Sequence, residues 1–336
     1  MSSYIQRICI FLLAIPALTS CAGSPDCFHE NVFCAALVTD TLGINDHGIN
    51  QDAWAGLQQA KLDGLVEDIA IIESIDSRDY EKNIAYFAQN GYDAIITTGM
   101  GMRDETLRAA DQFPASTFIG MNQPQEQTRP NLISVSFLED QMGFFAGALA
   151  AQLTKTGIIG AVCETSGLDS MYRYCEGFRA GVLYTKEEMI ILVEYHDGGS
   201  RDKLFADEVW GYETARGEIK RGADVIFAAG GGTGQGALKG ASEAGIHAIG
   251  AERDQAAALG IEGSSVVTSV YGRASFEVQA VMRLLRDRNV IKKRIGQIGY
   301  VPFAREFPQY LVPEMDALLL NLSDGTIKID VAFEKP

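Results

Sequence analysis

Short, unmixed apolar runs closed by glycine or polar turns alternate with longer segments of mixed character along almost the whole chain. Runs of roughly four to eight apolar residues are strands buried on both faces, and longer segments with a 3.6-residue period are amphipathic helices. The first series predicts strands at Cys34–Thr39, Asp68–Ser74, Ala94–Thr97 and Thr117–Ile119 and an extended piece at Asn131–Ser136. Helices at Gln51–Leu62, Ser77–Gln89 and Arg103–Asp111 connect them, with a turn at Gly99–Gly101 and a polar surface loop at Gly120–Pro130. The second series opens with the small-residue helix Met142–Leu153. It continues through strand Gly157–Val162, helix Leu168–Tyr184, strand Ile190–Glu194, a loop at Gly198–Gly199 and helix Asp202–Arg221.

Next come strand Asp224–Ala229, a tight turn over Gly230–Gly236, helix Ala237–Ala244 and strand Ile246–Gly250. Strand Ser264–Val270 and helix Ala274–Arg288 follow. The tail reads as added strands at Gly296–Val301, Gln309–Val312 and Gly325–Ile329 around a short helix, Pro313–Leu322. Such alternation means doubly wound parallel sheets, and two series in 336 residues mean two similar lobes.

Open α/β sheets carry ligand groups at the carboxyl ends of their strands. By that rule the loop after the first strand offers Asp40, Asn45, Asp46 and Asn50, and the strand Ile246–Gly250 delivers Glu252 and Asp254. Asn50 is equally suited to capping a helix. Glu139 and Asp140 open the small-residue helix, where acids also serve as dipole partners. Gly231, Gly232 and Thr233 lie in the glycine turn, whose N–H groups and following helix suit a polar or anionic ligand. No Gly-Lys-Ser/Thr follows, so the turn is not a nucleotide P-loop. Gly232-x-Gly234-x-x-Ala237 with Glu252 downstream does fit a dinucleotide fingerprint.

Composition narrows the classes. A 47% hydrophobic content supplies a full core, and a formal charge of −16 leaves no basic surface for nucleic acid. The N-terminus carries Arg7, the apolar run Ile8–Leu18 and then Leu18-Thr19-Ser20-Cys21, the layout of a secretory signal whose cysteine resembles the lipobox of bacterial lipoproteins. Residues 1–20 are then signal and Cys21 the lipidated first residue, anchoring the protein in the membrane. Cys27, Cys34, Cys163 and Cys175 remain for an oxidising compartment; Cys27–Cys34 with Cys163–Cys175 closes the smallest loops, although three pairings are open. The histidines His29, His47, His196 and His247 show no metal-ligand spacing, so no metal and no cofactor is expected.

Thr39-Asp40, Gly43-Ile-Asn-Asp46, Asn50-Gln51 and Trp54-x-Gly56 come first, then Gly222-Ala-Asp-Val-Ile226, Ala229-Gly-Gly-Gly-x-Gly-x-Gly236 and Ile249-Gly-x-x-x-Asp254-Gln255. With them, the chain resembles the basic membrane protein family, PnrA-like substrate-binding lipoproteins of ABC importers. Phe137–Ala150 and Gly177-Phe-Arg-Ala-Gly181 add to the likeness. The resemblance implies a type I periplasmic-binding-protein fold, two Rossmann-like lobes with a ligand cleft between them. After a tether over 21–33, the lobes are expected to comprise 34–136 with 252–290, and 137–251 with 291–336. It implies ligand roles for Asp40, Asp46, Asn50, the Glu139–Asp140 pair and Glu252, and as partners an ABC permease and its ATPase.

Three positions depart from the family. Ile49 stands where a stacking phenylalanine is usual, Ser200-Arg201 replaces a second aromatic, and Gly272 replaces a lysine, with Arg273 adjacent. The expected ligand is a purine nucleoside, or another polar metabolite such as a flavin, with rings from Trp54, Tyr172, Tyr174 or Tyr271. An exported dinucleotide-dependent enzyme and a ligand sensor that transports nothing are the rival classes; no serine–histidine–acid spacing supports catalysis.

Overall fold

The computed structural model describes residues 26–289, 291–303, 307–329 and 331. The signal segment 1–20 and Cys21 lie outside the described residues. The first series forms β1 (Cys34–Val38), α1 (Ile49–Leu62), β2 (Asp68–Ile72), α2 (Tyr80–Gln89), β3 (Ala94–Thr98), α3 (Arg103–Gln112), β4 (Thr117–Met121) and β5 (Leu132–Ser136). The second forms α4 (Glu139–Leu153), β6 (Ile158–Cys163), α5 (Asp169–Thr185), β7 (Ile190–Tyr195), α6 (Glu208–Lys220), β8 (Val225–Ala229), α7 (Gly231–Glu243), β9 (His247–Ala251), α8 (Gln255–Leu259) and β10 (Val266–Gly272). Then come α9 (Ala274–Arg286), β11 (Lys293–Ile295), β12 (Ile298–Tyr300) and α10 (Val312–Ser323).

Two sheets result, ordered β2-β1-β3-β4-β5-β11 and β7-β6-β8-β9-β10-β12. Among the described residues all pairs are parallel except β10 with β12. The central strands β1, β3 and β8 are buried along their whole length, as strands covered on both faces must be. This is the type I periplasmic-binding-protein architecture. Among the described residues the chain passes between the sheets three times, at Phe137–Leu138, at Arg273 and at Gly296–Gln297. The ring of Phe137 fills this hinge: a Cβ on Gly272 would lie 2.2 Å from it and one on Gly296 2.4 Å.

Pairing moves the expected lobe boundaries. β10 was expected with the first lobe but pairs with β9, and β11, expected with the second, pairs with β5. Only α9 of the 252–290 segment returns to the first lobe, where the Ser275 amide donates to Asp52 on α1 (2.9 Å). Two tail strands are not formed: Gln309–Leu311 is a 3₁₀ turn leading into α10, and 325–329 has no strand pairing. Proline at the first turn of α10 explains the former, since its fixed φ suits a helix start.

The glycine-rich segment gives a second correction. Gly230 alone precedes the helix, with φ +112°, and Gly231 already begins α7. The remaining glycines let two helices touch backbone to backbone: a Cβ on Gly236 would fall 2.0 Å from the Glu208 carbonyl oxygen, and one on Gly211 1.9 Å from that of Thr233. Helix α6 is shorter than the 202–221 expected, because Asp207 caps it through the Trp210 amide (3.2 Å) and residues 196–207 form a separate loop.

The structure joins Cys27 to Cys34 and Cys163 to Cys175, with Cα–Cα separations of 5.6 and 6.4 Å. The first ties the tether to the amino end of β1, and the second ties the end of β6 to α5. Thiol titration of the exported protein, denatured without reductant, is therefore expected to find none of these four sulfurs free; four reactive thiols would refute both bridges.

Candidate functional site

Both sheet orders reverse direction beside their first strand, between β1 and β3 and between β6 and β8, and such a switch point opens a crevice at the carboxyl ends. The two crevices face each other and form one cavity of about 340 Å³. The first lobe contributes Asp40, Leu42, Asp46, Gly48, Ile49, Gly99, Met100 and Asn122. The second contributes Glu139, Met142, Ser170, Met171, Tyr174, Phe205, Gly231, Glu252 and Arg253, with Phe137 and Gly272 at the hinge.

Asp40 follows β1 and is held by two donors on one oxygen, the Asn50 amide group (2.8 Å) and the Leu42 backbone N–H (3.0 Å). Asn50 is fully buried and accepts in turn from the Thr98 hydroxyl, an arrangement that orients Asp40. Asp46 spends both oxygens on the start of α1, accepting from the amides of Gly48 (2.9 Å), Asn50 (3.1 Å) and Gln51 (3.1 Å). It borders the cavity but its lone pairs are largely used.

Glu139 enters from the first turn of α4, and burial pushes its carboxyl up to about 7, against the opposing charge of Arg173. Glu252 follows β9 with φ +73°, an uncommon backbone state for a side-chain-bearing residue that turns its carboxyl into the cavity wall. Desolvation raises its pKa, while the charge of Arg253 and the donating Gly231 amide pull it down. Between the two acids Tyr174 donates its hydroxyl to the Met142 sulfur (3.3 Å). The cavity thus shows four carboxyl groups and one cationic side chain, Arg253, whose guanidinium reaches across the lobes to the Asp46 carbonyl (3.3 Å).

The glycine segment, suited by its sequence to a polar or anionic ligand, contributes Gly231 to this wall. The amides that begin α7 are already used within the protein, Gly231 by Glu252 and Gly232 by the Phe205 carbonyl (2.8 Å). Acceptors of this number suit a ligand rich in hydroxyl or N–H donors.

Of the expected site residues the structure brings together Asp40, Asp46, Glu139, Gly231 and Glu252 around the cavity, with Asn50 directly behind. The others lie elsewhere. Asn45 is exposed outside the cavity lining. Asp140 pairs with Arg173 (3.2 Å), and Thr233 is buried against Glu164 (2.6 Å). Gly232 sits inside α7. Asp254 caps α8 through the Ala257 amide (3.0 Å), the role its position before a helix allows. Arg273 turns outward to Gln297 (3.3 Å) and over the Phe276 ring. Trp54, Tyr172 and Tyr271 also lie outside the cavity lining, and Tyr174 is the expected ring that reaches it.

Several lining residues were not among those expected, Arg253 and Leu42 included. Phe205 supplies the aromatic face that Ser200-Arg201 lacks, a few residues further on. Met100, Met142 and Met171 add soft, adaptable surface. Asn122 stands just past β4 with φ +56°; extending that strand to Met121, instead of ending it at Ile119, would have placed it by the same carboxyl-end rule as Asp40. Ser170, near the start of α5, has no local signal.

Comparison with known proteins bears on the family and the fold. A family model described as ABC transporter substrate-binding protein PnrA-like matches residues 33–295. The chain is 31% identical over 235 residues to a CD4+ T-cell-stimulating antigen of Listeria monocytogenes, covering 66% of this chain and 63% of that one. It is 31% identical over 205 residues to the ABC transporter nucleoside-binding protein BmpA of Lactococcus lactis, covering 60% and 56%. Less than two thirds of either relative's length is spanned. Among solved structures, an ABC transporter solute-binding protein from Conexibacter woesei superposes with a TM-score of 0.75 at 23% identity, over 90% of this chain and all of that one.

Proposed function

Because the chain belongs to the PnrA-like family of ABC transporter substrate-binding proteins, we propose that it captures a nucleoside in the cleft between its lobes and delivers it to an ABC permease driven by its ATPase. The observation that carries this reading is the cavity itself. Asp40 and Glu252 present acceptors from opposite lobes to which ribose hydroxyls can donate, and Phe205 offers an aromatic face for a base. The name of the Lactococcus relative supports the same ligand class. The family is one of binding proteins, and Gly232 and Gly234 lie within α7, which removes the open glycine turn on which a dinucleotide enzyme would depend.

A thermal-shift and calorimetry screen over nucleosides, flavins and sugars tests it. A ligand at a hundredfold its Kd stabilises the folded state by about 2.7 kcal/mol, enough to move the melting temperature clearly. Adenosine, guanosine, inosine or uridine should do so; a shift with flavin or sugar alone would replace the nucleoside reading.

We also propose that the protein is held outside the cytoplasm by lipid on Cys21. No described helix is long and apolar enough to cross a membrane. Cys21→Ala is expected to move the protein from the membrane to the soluble fraction with its melting temperature unchanged. Undiminished membrane retention of that variant would remove the anchor.

A further inference from the structure

Phe205 owes its place in the cavity wall to a residue that never reaches the cavity. Its backbone is left-handed, with φ +61°, a conformation that a side-chain-bearing residue keeps only where its surroundings over-determine it. Hydrogen bonds on both sides do so. The Phe205 amide donates to Glu164 Oε2 at 3.0 Å, and its carbonyl accepts from the Gly232 amide at 2.8 Å.

Glu164 lies one residue past β6 and is 0% exposed. The same Oε2 accepts the Thr233 hydroxyl at 2.6 Å, and Oε1 faces His196 Nδ1 at 3.2 Å. Both partners lead back to the loop that carries Phe205. Thr233 Oγ1 accepts from the Asp207 amide (3.1 Å), and His196 Nε2 stands 3.5 Å from Asp207 Oδ2 with its ring against Trp210. Sterics close the shell: a Cβ on Gly199 would lie 2.2 Å from the His196 ring, and one on Gly230 2.6 Å from Glu164. One buried carboxylate therefore joins the end of β6, the 196–207 loop and the start of α7.

Stability alone does not call for a carboxylate there. A well-packed apolar residue in place of a buried charged network is often as stable or more so, whereas removing one member of such a network is costly. Directed bonds to a loop backbone are what the apolar residue could not supply. We propose that Glu164 is a positioning residue of the ligand site: it locks Phe205 in the backbone conformation that turns its ring into the cleft, and so sets affinity for the flat part of the ligand without touching it. The role rests on the nucleoside reading above.

A double-mutant cycle with Glu164→Gln and Phe205→Ala, titrated with adenosine and guanosine, tests the coupling. Glu164→Gln alone is expected to weaken binding on the order of tenfold. In the Phe205→Ala background it should weaken binding no further, while its effect on melting temperature stays the same in both backgrounds. Additive losses of affinity would overturn the proposal. Thr233→Val, which keeps the carboxylate, should give a smaller effect of the same pattern and carries the cycle if Glu164→Gln does not fold. Hydrogen exchange on the ligand-free protein separates the two ideas. Faster exchange at the amides of 205 and 232 in the variant, with 225–229 still protected, supports the positioning role even if no nucleoside binds. Unchanged exchange at 205 and 232 refutes it whatever binds.

Discussion

Replacing Glu252 by glutamine is expected to weaken nucleoside binding on the order of tenfold or more while leaving the fold as stable as before. A carboxylate that accepts ligand hydroxyls makes charge-assisted bonds of about 1.5–3 kcal/mol each, and the amide keeps the size but loses the charge and half the acceptor capacity. The fold is spared for visible reasons. The Gly231 amide can still donate to the remaining carbonyl oxygen, and the positive φ of residue 252 belongs to the backbone and is unchanged. Desolvation of the carboxylate disappears with it, which acts in favour of the variant. A surface ion pair with a neighbouring arginine would predict almost no effect on binding, since such pairs contribute about 0–1 kcal/mol. The structure turns Arg253 instead toward the Asp46 carbonyl, 3.3 Å away on the other lobe. Calorimetry on the two proteins with adenosine or guanosine decides, and equal dissociation constants would take Glu252 out of the site.

The strands were legible because parallel sheets bury both faces. Runs such as Cys34–Val38 and Val225–Ala229 carry no polar interruption that could mislead. Which sheet a strand joins is not written in the run itself. Val266–Gly272 and Lys293–Ile295 differ in partner because of contacts far along the chain, and the expected lobes went wrong at those two strands. The segment 230–236 failed for a different reason: glycine reads locally as freedom to turn, yet packing against α6 makes it the residue a close helix crossing requires. The site divided along the same line. Asp40 and Glu252 stand beside strand ends, where a rule about sheets finds them, whereas Glu139 opens a helix and drew its expected role from the family resemblance. Phe205 depends on a buried carboxylate at residue 164 and a glycine at 231, neither near it in sequence, so no local pattern marks it.

Glu218→Met should raise stability at neutral pH and flatten its dependence on pH. Glu218 projects from α6 onto β6 and is 1% exposed, and a Cβ on Gly160 would lie 2.1 Å from its Oε2, so the carboxyl occupies the space a side chain there would need. Its two oxygens are the buried side-chain polar atoms without a hydrogen-bond partner among the described residues. Burial and the nearby charge of Glu194 push its pKa from 4.5 up to about 8, Arg221 opposing. Between those values the unfolded chain has released this proton and the folded protein still holds it. The folded state binds more protons, so stability falls as pH rises through that window and the penalty is absent below it. At pH 7 the penalty is on the order of 3 kcal/mol. Glu139, raised to about 7, contributes with the same sign over a narrower range. Methionine matches the unbranched shape of glutamate and has no charge to desolvate, so the variant should melt a few degrees higher at pH 7. The two proteins should converge near pH 4.5, leaving only what Glu139 and the exposed groups impose. Denaturant midpoints measured from pH 5 to pH 8 give the answer, and parallel curves for the two proteins would mean that Glu218 is not held protonated in the fold.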